Sequence, residues 1–525
     1  MPKEPKSSFF SGAAILAAGI VVVKIIGAIY KIPIVNVLGT GYADFSNAYY
    51  IYALLLTIST AGLPVALSKM VAAANARQEY HQTQKIFRVS MSVFVLLGLL
   101  SFLVMFFFAD KLAELLHDPL AALSIRVLSP AVICVGCLSS FRGYAQGHSN
   151  MVPTAVSQII EALIKLVVGL GLAIVLVKRG AEGHVAAAGA IAGVTLGTVA
   201  ALIYMVIEYA GHHNHPRSHD KPSSSGAILK ELLMIAVPVT LSSSAFSIIN
   251  LIDTSLVQGR LQKALDMTLE ESRELFSAYS GVTTLYNLPA SLMVALTAAL
   301  IPAISAANAR GDRRGASRTV GAAFRLTALF VLPMGVGLSV LATPIVRLLF
   351  SRLDPEVSGP LLSILGIASI CVCIMTVSNS ILQAYGYERL PVYVMIAGGV
   401  IKVVVNYNLV GIPQINIKGA PIGTLCCFAF AAVADLILIK RIVPHPPRYR
   451  RSFRGAILAS ALMGGAAFGS YRLASQFCGN TVATAAAIVV AVAVYAGAVL
   501  FLGLLTKQDV LLMPKGEKIA KLLHL

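Results

Sequence analysis

Charge is scarce in this chain. Only 12% of its 525 residues are charged, and its 23 acidic residues face 41 Lys and Arg. A set of water-soluble domains would need a polar shell, and a chain that is 57% hydrophobic with recurring apolar runs of spanning length does not supply one. Segments that alternate polar and apolar over about ten residues are also missing, which argues against a membrane β-barrel. No glycine-rich phosphate loop ending in Lys-Ser or Lys-Thr is present, so ATP-driven transport by this chain alone is not expected. No catalytic apparatus stands out, and the chain reads as a non-enzyme. Six of its seven cysteines, Cys134, Cys137, Cys371, Cys373, Cys426 and Cys427, lie inside apolar runs, which is not the pattern of a secreted disulfide framework. Cys134-Val-Gly-Cys137 has zinc-like spacing but no second pair in its segment. His212, His213, His215 and His219 sit in a Pro- and Ser-containing linker and read as solvated. Neither a metal nor a cofactor is expected.

What the chain has is long apolar runs. They predict an all-α polytopic membrane protein with about fourteen transmembrane helices, roughly 10–33, 45–73, 88–109, 121–141, 153–177, 185–208, 229–257, 280–306, 319–342, 358–384, 391–411, 417–439, 453–474 and 481–505. The N-terminus begins basic, but its apolar run is too long for a cleaved signal and is broken by Lys24, so it reads as a retained first span. Basic residues set the orientation. About 25 Lys and Arg fall on the N-terminal side, including Arg77, Arg217, Arg310, Arg313, Arg448 and Lys515, against about 11 on the other side. Both termini are therefore expected in the cytoplasm, in a bacterial cytoplasmic membrane. The net charge of +18 is mostly this topology signal and not a sign of nucleic-acid binding.

An internal repeat is visible. Ala73-Ala-Asn-Ala-Arg77 returns as Ala306-Ala-Asn-Ala-Arg310, Pro153 with Lys165 returns as Pro391 with Lys402, and Gly189-Ala-Ile-Ala-Gly193 returns as Gly419-Ala-Pro-Ile-Gly423. The offset stays near 230–240 residues, about six spans. An even number of spans preserves orientation, so the halves are two parallel six-helix repeats, followed by two C-terminal helices. The expected organisation is an N-terminal lobe over 1–210, a cytoplasmic linker over 211–227, a second lobe over 228–441, and the extra helices with a basic tail over 442–525.

Lys24, Glu161, Lys165, Asp253 and Lys402 are the ionisable residues furthest from span ends. A cation at that depth costs at least ~2.5–3.5 kcal/mol, so it faces a wet cavity or a partner. Glu161 and Lys165, four apart on one helix, are placed to pair. Lys31 near the end of the first span either reaches the interface or lines a cavity mouth, and Arg126 and Arg325 reach interfaces. Pro33, Pro64, Pro238, Pro289, Pro302 and Pro333 distort spans. The external loop Gly259–Tyr279, with Asp266, Glu270, Glu271 and Glu274, reads as a solvated amphipathic helix. The intramembrane excess is positive, which favours an anionic ligand such as a phosphate.

Several stretches carry a family resemblance: Lys24-Ile-Ile-Gly-Ala-Ile-Tyr-Lys-Ile-Pro33, Ser59-Thr-Ala-Gly-Leu-Pro-Val-Ala-Leu-Ser-Lys69, Asn250-Leu-Ile-Asp253, Leu285-Tyr-Asn-Leu-Pro289, Leu300-Ile-Pro-Ala-Ile-Ser305 and Lys418-Gly-Ala-Pro-Ile-Gly-Thr424. With these the chain resembles the polysaccharide-export branch of the MOP superfamily, the stage V sporulation protein B / YtgP type of MurJ-like flippase. The resemblance implies a cavity between two lobes that binds the headgroup of an undecaprenyl-pyrophosphate-linked glycan precursor such as lipid II, and a lipid-tail groove formed by the last two spans. It matches Lys24 to a cationic first-span position, with Lys31 beside a second. Leu56 and Thr284 stand where that pattern has arginines. Lys24, Lys31, Asn47, Asp253, Asn287 and Lys402 are the expected substrate contacts. The expected partners are the lipid-linked oligosaccharide, membrane lipids and a coupling ion, with no nucleic acid, for a monomer working by alternating access. A multidrug/cation antiporter would show a carboxylate-dominated cavity instead. A glycan polymerase or ligase would place catalytic residues in the external loop.

Overall fold

The computed structural model describes residues 7–211, 220–444, 446–447 and 449–504. The histidines at 212, 213, 215 and 219 and the tail lysines from Lys507 onward lie outside them. All regular structure among the described residues is helical. In lipid, every backbone N–H and C=O must be satisfied within the segment itself, and the helix does this.

The chain separates into two compact units, Met1–Ser277 and Ala278–Leu525. The first contains α1 (Ser7–Leu38), α2 (Tyr42–Thr60), α3 (Leu63–Ala76), α4 (Tyr80–Phe107), α5 (Ala109–Leu115), α6 (Ala122–Gly147), α7 (Val152–Ile164), α8 (Leu170–Lys178), α9 (Gly183–Gly211), α10 (Ser225–Ala264) and the first turns of α11 (Leu269–Ala309). The second contains the rest of α11 and then α12 (Arg313–Val340), α13 (Ala342–Leu349), α14 (Pro355–Ala384), α15 (Leu390–Val410), α16 (Gly419–Ile442), α17 (Tyr449–Phe477) and α18 (Asn480–Phe501). Each expected span falls on these helices.

Eleven helical stretches among the described residues are long and apolar enough to cross a membrane. One of them, Ala18–Ala76, joins the first two expected spans through a single tight turn at Gly39–Gly41. The eighth and thirteenth expected spans are carried by α11 and α17, which lie outside that set. Bulky apolar side chains such as Leu96, Phe107, Val167, Ile207, Leu462 and Val489 face outward. Such a surface suits lipid and not water. This is a multi-pass membrane protein.

In the first unit, Leu63, Leu67, Ile86, Phe87 and Phe94 pack with Ile228 and Leu232 from α10. Phe87 sits among Phe141, Tyr144 and Tyr209, with ring centroids 4.7–5.4 Å away. Gly62, between α2 and α3, lets α10 come close. A Cβ there would stand 2.0 Å from the Ala236 carbonyl oxygen, and the Gly62 N–H donates to Thr240 Oγ1 at 3.2 Å. Pro64 therefore opens α3 and does not kink a continuous span. The compact division falls later in the chain than the repeat boundary because α10, first helix of the second repeat, packs against α2, α3 and α4.

In the second unit, Ile304, Val320, Phe324, Val377, Ile381 and Ile439 form the core. The last two helices dock on α12 through Ala456 and Val499 packed with Ala328, Leu329 and Leu332. Polar caps start several helices. Asp312 accepts from Gly315 N–H at 2.8 Å before α12, and Asp220 accepts from His81 and Gln82 N–H, at 3.1 and 2.8 Å, at the start of α4.

Candidate functional site

Two cations come from one helix. Lys24 and Lys31 are seven residues apart on α1, two turns along nearly the same face. Lys24 is exposed and Lys31 half-buried. Lys165, on the α7–α8 segment, joins them, and it and Lys24 lie within electrostatic range of Lys31. The Lys165 ammonium stands 5.0 Å from the ring centre of Tyr30 and 4.9 Å from that of Tyr49. Such ring faces hold a cation while leaving its charge uncancelled.

The expected Glu161–Lys165 pair is not the one that forms. Arg142 from α6 binds Glu161 at 3.1 Å and donates through Nε to Ser157 Oγ at 2.9 Å. The planar fork of guanidinium donors meets both groups at once. The helix also opens into a π-helical turn at Lys165–Gly169, so spacing of four no longer carries its usual meaning there. Glycines place this segment. A Cβ on Gly193 of α9 would stand 2.2 Å from Gly169 Cα, and one on Gly197 would stand 2.7 Å from the Glu161 carbonyl oxygen. Small residues let the two backbones touch and fix where Glu161 and Lys165 project.

Among the described residues, Lys24, Lys31, Arg142 and Lys165 thus gather around Tyr30, Tyr49 and Tyr52, and the carboxylate there, Glu161, is paired with Arg142 and within electrostatic range of Lys165. The surplus is three positive charges in partly open surroundings. Arg142 and the tyrosines were not singled out from sequence. Arg142 falls one residue beyond the expected fourth span, and the run Tyr49-Tyr50-Ile51-Tyr52 was the available signal.

The other expected contacts are dispersed. Asn47 is fully buried, donating to Asp118 Oδ2 at 2.7 Å and exchanging hydrogen bonds with Gln258 at 3.0 and 3.3 Å. It belongs to a second polar cluster, in which Arg273 binds Asp44 and lies 3.3 Å from Asp118 Oδ1. Asp253 is buried on α10. Asn287 is exposed on α11 and donates to the Thr283 carbonyl at 2.8 Å. Lys402 is buried on α15, 5% exposed. In the external segment, Glu270, Glu271 and Glu274 are exposed while Arg273 and Phe276 turn inward, and Thr268 and Glu271 form a reciprocal cap at the start of α11. The second unit holds an apolar cavity of about 570 Å³, lined by Leu288, Leu329, Pro333, Met463, Ile488 and Tyr495 among others.

A family profile described as polysaccharide biosynthesis protein matches residues 9–308, more than half of the chain. The chain belongs to the polysaccharide biosynthesis protein family. A second profile, MatE, matches residues 238–408 of this family member. Among curated proteins it is 27% identical over 455 residues to a Bacillus subtilis protein named lipid II flippase MurJ, covering 83% of each chain. It is 24% identical over 444 residues to stage V sporulation protein B of the same organism, covering 84% of this chain and 85% of that protein. Among solved structures, lipid II flippase MurJ in an inward closed conformation superposes with a TM-score of 0.72 at 14% identity, over 92% of this chain and 98% of that one. An inward-facing multidrug-resistance MATE transporter of the MOP superfamily gives 0.66 at 17% identity, over 82% of this chain and 98% of that one. The fold is the MOP-superfamily fold shared by MurJ and MATE transporters.

Proposed function

We propose that this protein is a flippase that moves an undecaprenyl-pyrophosphate-linked glycan precursor, of the lipid II kind, between leaflets. The observation that carries the reading is the charge of the first cluster, four cations with one carboxylate, Glu161, among the described residues. Surplus positive charge at membrane depth is costly unless a counter-charge arrives. A pyrophosphate brings one and leaves with the lipid. Lys24 and Lys31 meet the phosphates, Lys165 waits on its tyrosine faces, and Arg142 is held aside by Glu161. The name of the B. subtilis relative lipid II flippase MurJ supports the same substrate class. The apolar cavity between α11, α12, α17 and α18 suits an isoprenoid chain. Asn287, Asp253 and Lys402 are secondary contacts in this reading, and Asn47 is a strut.

On the positive-inside count both termini are cytoplasmic, in a bacterial cytoplasmic membrane. The repeats, 1–210 and 228–441, act as the lobes of an alternating-access cycle, driven by membrane potential or an ion gradient. The protein works as a transporter and not as a polymerase or ligase. The exposed Glu270 and Glu274 then serve solubility, and Glu270→Ala and Glu274→Ala leave function intact. The MATE likeness makes a drug/cation antiporter the second reading. That reading calls for accessible carboxylates, whereas here the cations are accessible and Asp44 and Asp118 are sealed.

Leaflet accessibility of a defined lipid-linked sugar in proteoliposomes tests the proposal. Wild type exposes the headgroup on the far side and Lys24→Ala does not. No translocation by wild type sinks the function, and equal translocation by both sinks the role of Lys24.

A further inference from the structure

Asp44, in the first turn of α2, and Asp118, just before α6, are both fully buried. Their carboxyl groups are within hydrogen-bonding reach of each other. Among the described residues, the charged groups that face them are each other and Arg273, which is 8% exposed. The neutral partners are Asn47, which donates to Asp118, and Gln258 of α10, which is bonded to Asn47. His117 adds no charge. Its ring packs on Gly259, and burial together with Lys263 lowers its pKa below the usual imidazole value.

Two carboxylates against one guanidinium leave one negative charge in a closed site. In addition, Asp44 Oδ1 and Asp118 Oδ1 accept no hydrogen bond among the described residues. One proton between the carboxyls removes both faults. It supplies a donor where two acceptors meet, and it brings the cluster to neutrality. Adjacent buried acids do not both ionise. A metal ion would instead meet Arg273, which already lies against both carboxyls.

We propose that Asp44 and Asp118 form a proton-binding site, a carboxyl–carboxylate pair that shares one proton and is tied to α11 by Arg273 and, through Asn47 and Gln258, to α10. Burial holds Asp118 above the ordinary carboxylate range, against the opposing pull of Arg273. Release of the proton leaves an uncompensated charge that only rearrangement or entry of water relieves. On the transport reading above, on which this clause alone rests, the proton is the coupling ion.

Infrared difference spectroscopy of the reconstituted full-length protein at pH 7 tests the site, since an ordinary aspartate with a pKa of about 3.9 is ionised there. Asp44→Asn and Asp118→Asn each leave one carboxylate paired with Arg273. Each variant is therefore expected to lose one protonated carboxyl per chain. Asp435, another fully buried acid, is present in every sample and cancels. Retention of the signal in either variant overturns the shared proton, and so does its displacement by Na⁺ at constant pH. A second arm measures flipping of a lipid-linked sugar under an imposed pH gradient. Wild type is expected to respond to the gradient, and Asp44→Asn is expected not to. Loss of the infrared signal with gradient-insensitive flipping by wild type overturns the proton as coupling ion. Absence of any flipping by wild type overturns the flippase reading and leaves the infrared result standing.

Discussion

The cluster around Lys24 and Lys31 and the cluster around Asp44 and Asp118 both draw on α2, and each carries surplus charge. The first is basic and partly open. Tyr49 and Tyr52 of α2 line it, Lys24 is exposed, and the carboxylate of Glu161 is spent on Arg142. The second is acidic and closed, with Asp44 and Asn47 of α2 and Asp118 all at 0% exposure. Each surplus finds its counter-charge in a different place. An open basic site can exchange a large anion with its surroundings. A sealed acidic site admits only something as small as a proton, or else relies on a built-in cation, and here Arg273 supplies that cation for one of the two acids.

Removal of Arg273 has the largest expected effect. Arg273→Met leaves two buried acids without a cation and should destabilise the fold by about 3–5 kcal/mol, the usual cost of stripping one partner from a buried pair. Thermal unfolding in detergent measures it, and adding Asp44→Asn should recover part of the loss. A neutral Arg273→Met would mean that the cluster is not sealed. Next comes Lys31→Ala in the open site. Loss of a charge-assisted contact of about 1.5–3 kcal/mol corresponds to a fall in flipping of roughly 10- to 100-fold, with little change in thermal stability. A large stability change instead would make Lys31 a structural residue. Tyr49→Leu removes one of the two ring faces under Lys165 and should weaken headgroup binding by about 0.5–1 kcal/mol, read as a rise in half-saturating lipid concentration. Smallest is Arg126→Ala, which breaks an exposed ion pair with Asp110. It should cost about 0–1 kcal/mol and leave transport unchanged.

The spans were legible because about 20 apolar residues must be helical to cross a bilayer, whatever they pack against. The break before Pro64 and the π-helical turn at Lys165 were not, since both answer to close contact with another helix. Lys24 and Lys31 stood out because they interrupt an apolar run. Arg142 did not, lying just past a span as drawn, and it took the carboxylate that spacing had given to Lys165. Asp44, Asp118 and Arg273 each fall at a span edge or in a loop. The contact between Asp44 and Arg273 joins residues 229 apart in sequence, which no local pattern encodes. The repeat misleads in one respect: Lys165 and Lys402 hold matching positions, yet one is half-buried against tyrosine rings and the other is 5% exposed.

On the proposed reading, the Lys24–Lys31 cluster takes a pyrophosphate. Titration of purified protein with inorganic pyrophosphate, wild type against Lys24→Ala and Lys31→Ala, tests it most directly. Saturable binding by wild type that weakens with added salt and falls about tenfold or more in each variant is the expected result. Equal binding by all three proteins, or none by wild type, would contradict it.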